Sequence, residues 1–169
     1  MFDINRIVPS EIDDYFRYST LKGHVHDMGA AMQGGIGGHA GLFSNSNDVA
    51  KIMQMFLQRG YYGGRRFFNE LTFDLFNTCY FCDLGNRRGI GFDKPEMDDS
   101  MATCGCVPKS SFGHSGFTGS YTWADPLNEI VYVFLSNRTY PTMENKLLSE
   151  YNVRTEIQRI IYESLNISK

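Results

Sequence analysis

The stretch Ser111-Phe112-Gly113-His114-Ser115-Gly116-Phe117-Thr118-Gly119 decides how this chain is read. It is followed by Tyr121-Thr122-Trp123-Ala124, a turn at Asp125-Pro126-Leu127-Asn128, and the apolar run Ile130-Val131-Tyr132-Val133-Phe134-Leu135. β-rich runs joined by a Pro/Asn turn predict an antiparallel hairpin, with 111–119 as an edge strand. Glycines at 113, 116 and 119 weaken a strand that only packs. They point to close approach of another backbone or of a ligand.

Downstream, 138–150 reads as a connector. Helical spacing then runs from Val153 through Ile157, Ile160, Ile161 and Leu165, and the tail from Asn166 is expected to fray. Upstream, Ser44-Asn45-Ser46-Asn47-Asp48 offers several N-cap residues. Val49, Ile52, Met53, Phe56 and Leu57 recur at helical spacing before Gly60, which predicts a helix near 47–59. Tyr61 to Arg66 reads as a tight turn, and Asn69 as the cap of a short helix through Phe76. The segment 83–110 is loop-rich apart from a short strand expected around Gly89-Ile90-Gly91-Phe92, and Pro9-Ser10-Glu11 resembles a helix or turn start. Together these elements predict an α+β fold. An antiparallel sheet containing the 111–137 hairpin is covered by the C-terminal helix 152–165, with the helix near 47–59 in a helical subregion.

At 169 residues and 19.3 kDa, the chain fits a single domain over 1–169 with a real core. A formal net charge of −3 without a basic cluster argues against a nucleic-acid partner, since neutralising phosphates needs a concentrated Lys/Arg face. No run approaches the ~18 apolar residues of a membrane span, and Met1-Phe2-Asp3-Ile4-Asn5 has neither a basic nor an apolar leader region. The chain therefore reads as soluble with no membrane contact. It would be periplasmic or secreted if it derives from an exported parent.

Cys79, Cys82, Cys104 and Cys106 bracket a glycine- and charge-rich loop. The second pair is one residue short of a zinc knuckle, which leaves disulfides or free thiols, with a zinc-stabilised domain as a third reading. His24-Val25-His26 in an extended segment would place both imidazoles on one face, with Asp27 and His39 as further ligand candidates. Solvent-facing strand histidines are the commoner case, and no metal or other cofactor is expected. Gly35-x-Gly37-x-x-Ala40 superficially matches a dinucleotide fingerprint. It lacks both the preceding buried strand and the acidic residue that motif needs.

Seven ordered stretches resemble the C-terminal half of a serine β-lactamase-like, penicillin-recognising hydrolase, of the kind fused to family 3 glycoside hydrolases. They are Ile7 to Glu11 with Phe16-Arg17, Gly23 to Asp27, Gly34 to Ser44, Tyr62 to Arg66, Arg88 to Pro95, 111–119 with Trp123 to Pro126, and Phe134 to Arg138. The resemblance implies that His114-Ser115-Gly116 is the family's third motif. On that reading the backbone N–H of Phe117 supplies half of an oxyanion hole, and His114 orients substrate or tunes the proton relay. Ser115, Gly116 and Thr118 would contact substrate, with His26, Asp27 and His39 nearby or fixing glycine-rich loops. Oxyanion donors matter because charge grows on the carbonyl oxygen in the tetrahedral transition state, and one donor is worth ~3 kcal/mol.

The family's first two motifs have no convincing counterpart here. Ser19-Thr20-Leu21-Lys22 has the literal S-x-x-K spacing, but no long apolar helix follows to bury Lys22 and activate Ser19. No Tyr is followed two positions later by Asn, and the only S-x-N, Ser164-Leu165-Asn166, closes the last helix. The expectation is a fragment of an esterase, amidase or β-lactam-type hydrolase that is inactive alone and takes a small acyl or peptide-like substrate in its parent. The alternative is a non-catalytic binding or assembly module that forms homo-oligomers through an exposed sheet edge.

Overall fold

A computed structural model describes residues 3–95 and 102–165, so the expected fraying after Asn166 lies outside the described residues. In chain order the elements are β1 (Pro9–Asp13), β2 (Ser19–Lys22), α1 (Met28–Met32), α2 (Ser46–Leu57), β3 (Tyr61–Tyr62), β4 (Arg65–Arg66), α3 (Glu70–Asn77), β5 (Phe112–Ser115), β6 (Tyr121–Asp125), β7 (Ile130–Phe134), α4 (Leu147–Glu150) and α5 (Val153–Ser164). Every strand pair is antiparallel. The chain clusters into two compact units. One comprises Met1–Asn45, Gly116–Ser120 and Leu135–Tyr151, and the other Ser46–Ser115, Tyr121–Phe134 and Asn152–Lys169.

The second unit is built on the three-stranded sheet β5-β6-β7. Successive strand residues face opposite sides, so Tyr121, Trp123 and Tyr132 share one face while Phe112, Ala124 and Val131 share the other. Ile157 and Ile161 of α5 cover the first face, as the C-terminal spacing predicts. Met53, Val49, Phe56 and Leu57 of α2 cover the second, joined by Phe73 of α3 and by Phe92. The apolar stripe of the 47–59 helix finds its complement on the sheet itself. Each fully buried Phe or Met contributes roughly 1.5–3 kcal/mol by leaving water. The helix closes through Arg59 and Gly60, both at positive φ, and a Cβ on Gly60 would collide with Phe68.

Several polar groups buried in this unit are paired, while Gln158 Nε2 has no hydrogen-bond partner. Tyr162 Oη donates to Asp125 Oδ2, Trp123 Nε1 to Ser111 Oγ, and Tyr132 Oη to the Arg154 carbonyl. The expected strand at 89–92 is instead a turn, with Gly89 N–H donating to the Phe92 carbonyl and Ile90 N–H to the Phe76 carbonyl. That turn delivers Asp93 to Gly113. The two residues exchange both backbone hydrogen bonds, at 2.8 and 3.1 Å, while Arg87 and Arg88 ion-pair with the Asp93 carboxylate. Asn69 caps α3 through the Leu71 N–H, as expected. The four cysteines are bridged in sequence order, Cys79 to Cys82 and Cys104 to Cys106.

In the first unit Pro9-Ser10-Glu11 opens strand β1 rather than a helix. Proline is tolerated as the first residue of an edge strand, and the segment 137–141 takes up the neighbouring backbone groups: Thr139 Oγ1 donates to the Ser10 carbonyl, Asn137 Nδ2 to the Pro9 carbonyl, and Ile12 N–H to the Pro141 carbonyl. β1 pairs with β2 through Glu11 opposite Leu21, Ile12 opposite Thr20 and Asp13 opposite Ser19, with a bulge between Pro9 and Glu11. Residues 23–27 form a bent connection, so the extended His24-Val25-His26 segment does not occur. Among the described residues no helix is long and apolar enough to cross a membrane.

Candidate active site

β5 ends at Ser115, so the expected edge strand stops before Gly116 and the run continues as a turn. Gly119 N–H donates to the Gly116 carbonyl at 2.9 Å, which closes a β-turn with Phe117 and Thr118 at its centre. Gly119 sits at φ 98°, and a Cβ there would collide with Ser136 and Leu148. Glycine is therefore required for the turn to close over its support. The stretch 114–117 is exposed, as a ligand-contacting surface must be.

Within β5, Gly113 turns its N–H and C=O away from β6 toward Asp93, and alternation sends those of Ser115 to the same edge. His114 Nδ1 lies 2.8 Å from the Ser115 carbonyl. A carbonyl only accepts, so this contact places a proton on Nδ1 and leaves the other ring nitrogen open.

In the first unit, Phe117 is fixed by its carbonyl and its ring. Arg138 Nε donates to the Phe117 carbonyl at 2.8 Å while its guanidinium carbon lies 4.4 Å from the ring centroid. Arg138 Nη1 also bonds the Met143 and Asn145 carbonyls, and Arg138 N–H bonds the Thr118 carbonyl. Ser136 Oγ reaches that same Thr118 oxygen at 3.5 Å. Phe117 N–H has no partner among the described residues. The turn thus has its carbonyls tied down, while the N–H groups of Phe117 and Thr118 have no partner among the described residues.

His26 meets the Phe117 ring with centroids 5.3 Å apart. Its Nε2 is buried 3.4 Å from Glu11 Oε2 without alignment for a hydrogen bond. Glu11, only 1% exposed, accepts a 3.0 Å hydrogen bond from Tyr15 Oη. Burial and that bond to Glu11 push the Tyr15 phenol up to about 12, so it serves as a neutral donor and not as a base. Asp13 lies two residues from Glu11 on the same face of β1. Burial would raise its carboxyl, but the Arg17 guanidinium and the N–H groups of Phe16 and Tyr15 outweigh it and hold the carboxyl down at about 2. Arg17 also clamps the Val25 and His26 carbonyls at 2.7 and 2.9 Å, which fixes the bend that carries His26.

Asp27 and His39 form a separate pair. Asp27 caps α1 through Ala30 N–H at 2.7 Å and meets His39 Nε2 at 2.9 Å, and these contacts, the cap first, lower its carboxyl. This is the loop-fixing role. His24 is exposed, and among the described residues no three His, Cys, Asp or Glu side chains converge as metal ligands. A half-open cleft of about 420 Å³ lies among Arg17, Val25, Gly34, Gly35, Gly41 and Phe43, and none of its lining residues comes from 114–119. Ser19 and Lys22 lie on β2, where residues three apart face opposite sides, so this S-x-x-K does not bring hydroxyl and amine together.

Sequence reasoning singled out the 114–118 run and did not single out Glu11, Tyr15 or Arg138. The alternation of Glu11 and Asp13 followed by Arg17 was an available signal.

The Beta-lactamase family profile matches residues 6–155. The chain belongs to the Beta-lactamase family. It is 40% identical over 126 residues to an Escherichia coli K12 protein named "Putative D-alanyl-D-alanine carboxypeptidase", covering 73% of this chain and 29% of that one. Like-named proteins of Escherichia coli O157:H7 and Salmonella gallinarum are 38% identical over 126 residues and 36% over 131, covering 73% and 76% of this chain. The chain spans 29–30% of the length of these relatives. Membership in this family bears out the serine β-lactamase-like resemblance and the α+β expectation.

Proposed function

We propose that residues 1–169 form the C-terminal portion of a serine β-lactamase-like domain and supply the acyl-binding side of its site. The unpartnered Phe117 N–H, held in an exposed turn directly after His114-Ser115-Gly116, carries this reading. In acyl transfer it donates to the oxyanion, and the nucleophile's own N–H supplies the second donor. Ser115 offers its hydroxyl and strand edge to the substrate, and His114 its open ring nitrogen, with Gly116 and Thr118 shaping the approach. The attacking serine and its lysine lie outside these 169 residues, so the chain alone does not turn over. The carboxypeptidase names of the relatives favour peptides ending in D-alanyl-D-alanine as the substrate class, with esters and β-lactams as simpler acyl probes. An exported enzyme acting outside the cytoplasm fits that substrate. Assembly through the sheet edge gains less support, because Asp93 already occupies Gly113.

The test uses a fluorophosphonate and a labelled penicillin, with adducts mapped by mass spectrometry. The isolated chain should carry no adduct, and labelling at Ser19 would refute the assignment. In a chimera where this chain replaces the matched 126 residues of the E. coli K12 relative, the adduct should appear on the relative's portion. Phe117 occupies the turn position that proline favours, so Phe117→Pro deletes the N–H while keeping the turn. It should slow acylation on the order of 10²–10³-fold relative to Phe117→Ala. Equal rates for the two variants would remove Phe117 from the oxyanion site.

A further inference from the structure

We propose that His26 is a positioning residue for the Phe117 turn, and that its hold tightens when the imidazole is protonated over the buried Glu11 carboxylate. The inference rests on the reading of Phe117 as an oxyanion donor, and it adds a titratable support that this reading does not require. Its basis is a side-chain relay inside one compact unit. Glu11 is buried on β1, His26 Nε2 is buried 3.4 Å from its carboxylate with no hydrogen-bond partner, and the His26 ring lies against Phe117.

A buried polar atom without a partner is costly, and a displacement of a few tenths of an ångström toward Glu11 would satisfy it. Protonation puts a hydrogen on Nε2 and a positive charge on the ring, so the displacement gains a charge-assisted bond to Glu11. The same charge is attracted to the face of the Phe117 ring, which Arg138 already approaches at 4.4 Å. The neutral imidazole can donate only in its Nε2–H tautomer, through a weaker bond, and has no charge to offer the ring. The hold is therefore stronger for the imidazolium than for the neutral ring.

The surrounding charges are accounted for. Tyr15 remains neutral because its phenol is pushed up to about 12, chiefly by burial, and its hydroxyl donates to Glu11 Oε2, the same oxygen that His26 Nε2 approaches. Arg17 is spent on Asp13 and on the Val25 and His26 carbonyls. Arg138 is spent on Phe117, Met143 and Asn145. Asp27, next in the chain, is engaged by Ala30 and His39. Glu11 is thus the carboxylate against which His26 can change its interaction. No covalent step is involved.

The test is a pH titration of the 169-residue chain by two-dimensional NMR, following the Phe117 amide and the His26 ring signals from pH 5 to 8. The Phe117 amide should shift with a single inflection that coincides with the His26 ring signals. That shift should persist in His114→Gln, disappear in His26→Gln, and shrink in Glu11→Gln. His26→Phe keeps a ring against Phe117 but cannot titrate. It should hold the amide at one position throughout, which separates charge from packing if His26→Gln is poorly folded. A Phe117 amide that ignores pH, or one whose shift survives His26→Gln and is lost in His114→Gln, overturns the proposal. None of these signals depends on acylation, so failure of the oxyanion assignment would be seen separately in the chimera.

Discussion

Tyr162 Oη lies 2.6 Å from Asp125 Oδ2, with both side chains buried, so the C-terminal helix is latched to the β6–β7 turn by one hydrogen bond to a carboxylate. Asp125 also receives Leu127 N–H, Asn128 N–H and Asn128 Nδ2, so the same carboxylate organises the turn. Burial and Asp125 push the Tyr162 phenol well above its ordinary range, which keeps it protonated and donating. Tyr162→Phe leaves a buried carboxylate oxygen with one of its two donors, Asn128 Nδ2. It should cost about 1.5–3 kcal/mol in urea or guanidinium unfolding, and a loss under 0.5 kcal/mol would mean that water replaces the hydroxyl.

Asp13 gives an acid-side prediction. Its carboxyl is held at about 2 in the folded chain against an ordinary 3.8, so the folded state binds the proton less readily than the unfolded one. Its stabilisation is therefore complete above pH 3.8 and is lost as pH falls toward 2. Unfolding midpoints measured between pH 5 and 2 should fall more steeply for the native chain than for Asp13→Asn. Parallel slopes would remove Asp13 from the acid transition.

Gly119→Ala forces a side chain into a left-handed position and against Ser136 and Leu148. We expect a loss of about 1–3 kcal/mol, and a slower acylation of the chimera as the Phe117 donor is displaced. Full acylation alongside reduced stability would show that the turn is held chiefly by Arg138.

His39→Ala removes the contact that ties the glycine-rich loop to Asp27, and leaves the cap on Ala30 intact. Limited proteolysis should then cut faster within 34–43, while circular dichroism of the chain stays unchanged. Unaltered cleavage would assign the pair no part in ordering the loop.

Two parts of the molecule were readable in advance because their buried faces are apolar. The α2 stripe of Val49, Met53 and Phe56, and the alternation of Tyr121 and Trp123 in β6, each repeat at the period of their own element. Strand β1 was not readable, because the face it buries carries Glu11 and Asp13, and a buried charge looks like a surface residue until its partner is known. The turn at 89–92 has strand-like residues. Its shape is set by Phe76 and Asp93, which lie outside the segment. At the candidate site, the exposed 114–117 run stood out through its glycine spacing. Arg138 reaches Phe117 across 21 positions, and Thr139 reaches Ser10 across 129, distances over which local pattern carries no information.

The two sulfur bridges span three and two positions of sequence. Rings this small remove little freedom from the unfolded chain, since the effect grows with the logarithm of the loop enclosed. Neither bridge joins one element to a distant one. Thiol reductants should therefore alter two small surface loops and spare the tertiary structure, so the chain can be produced folded in a reducing cytosol even if its native setting is oxidising.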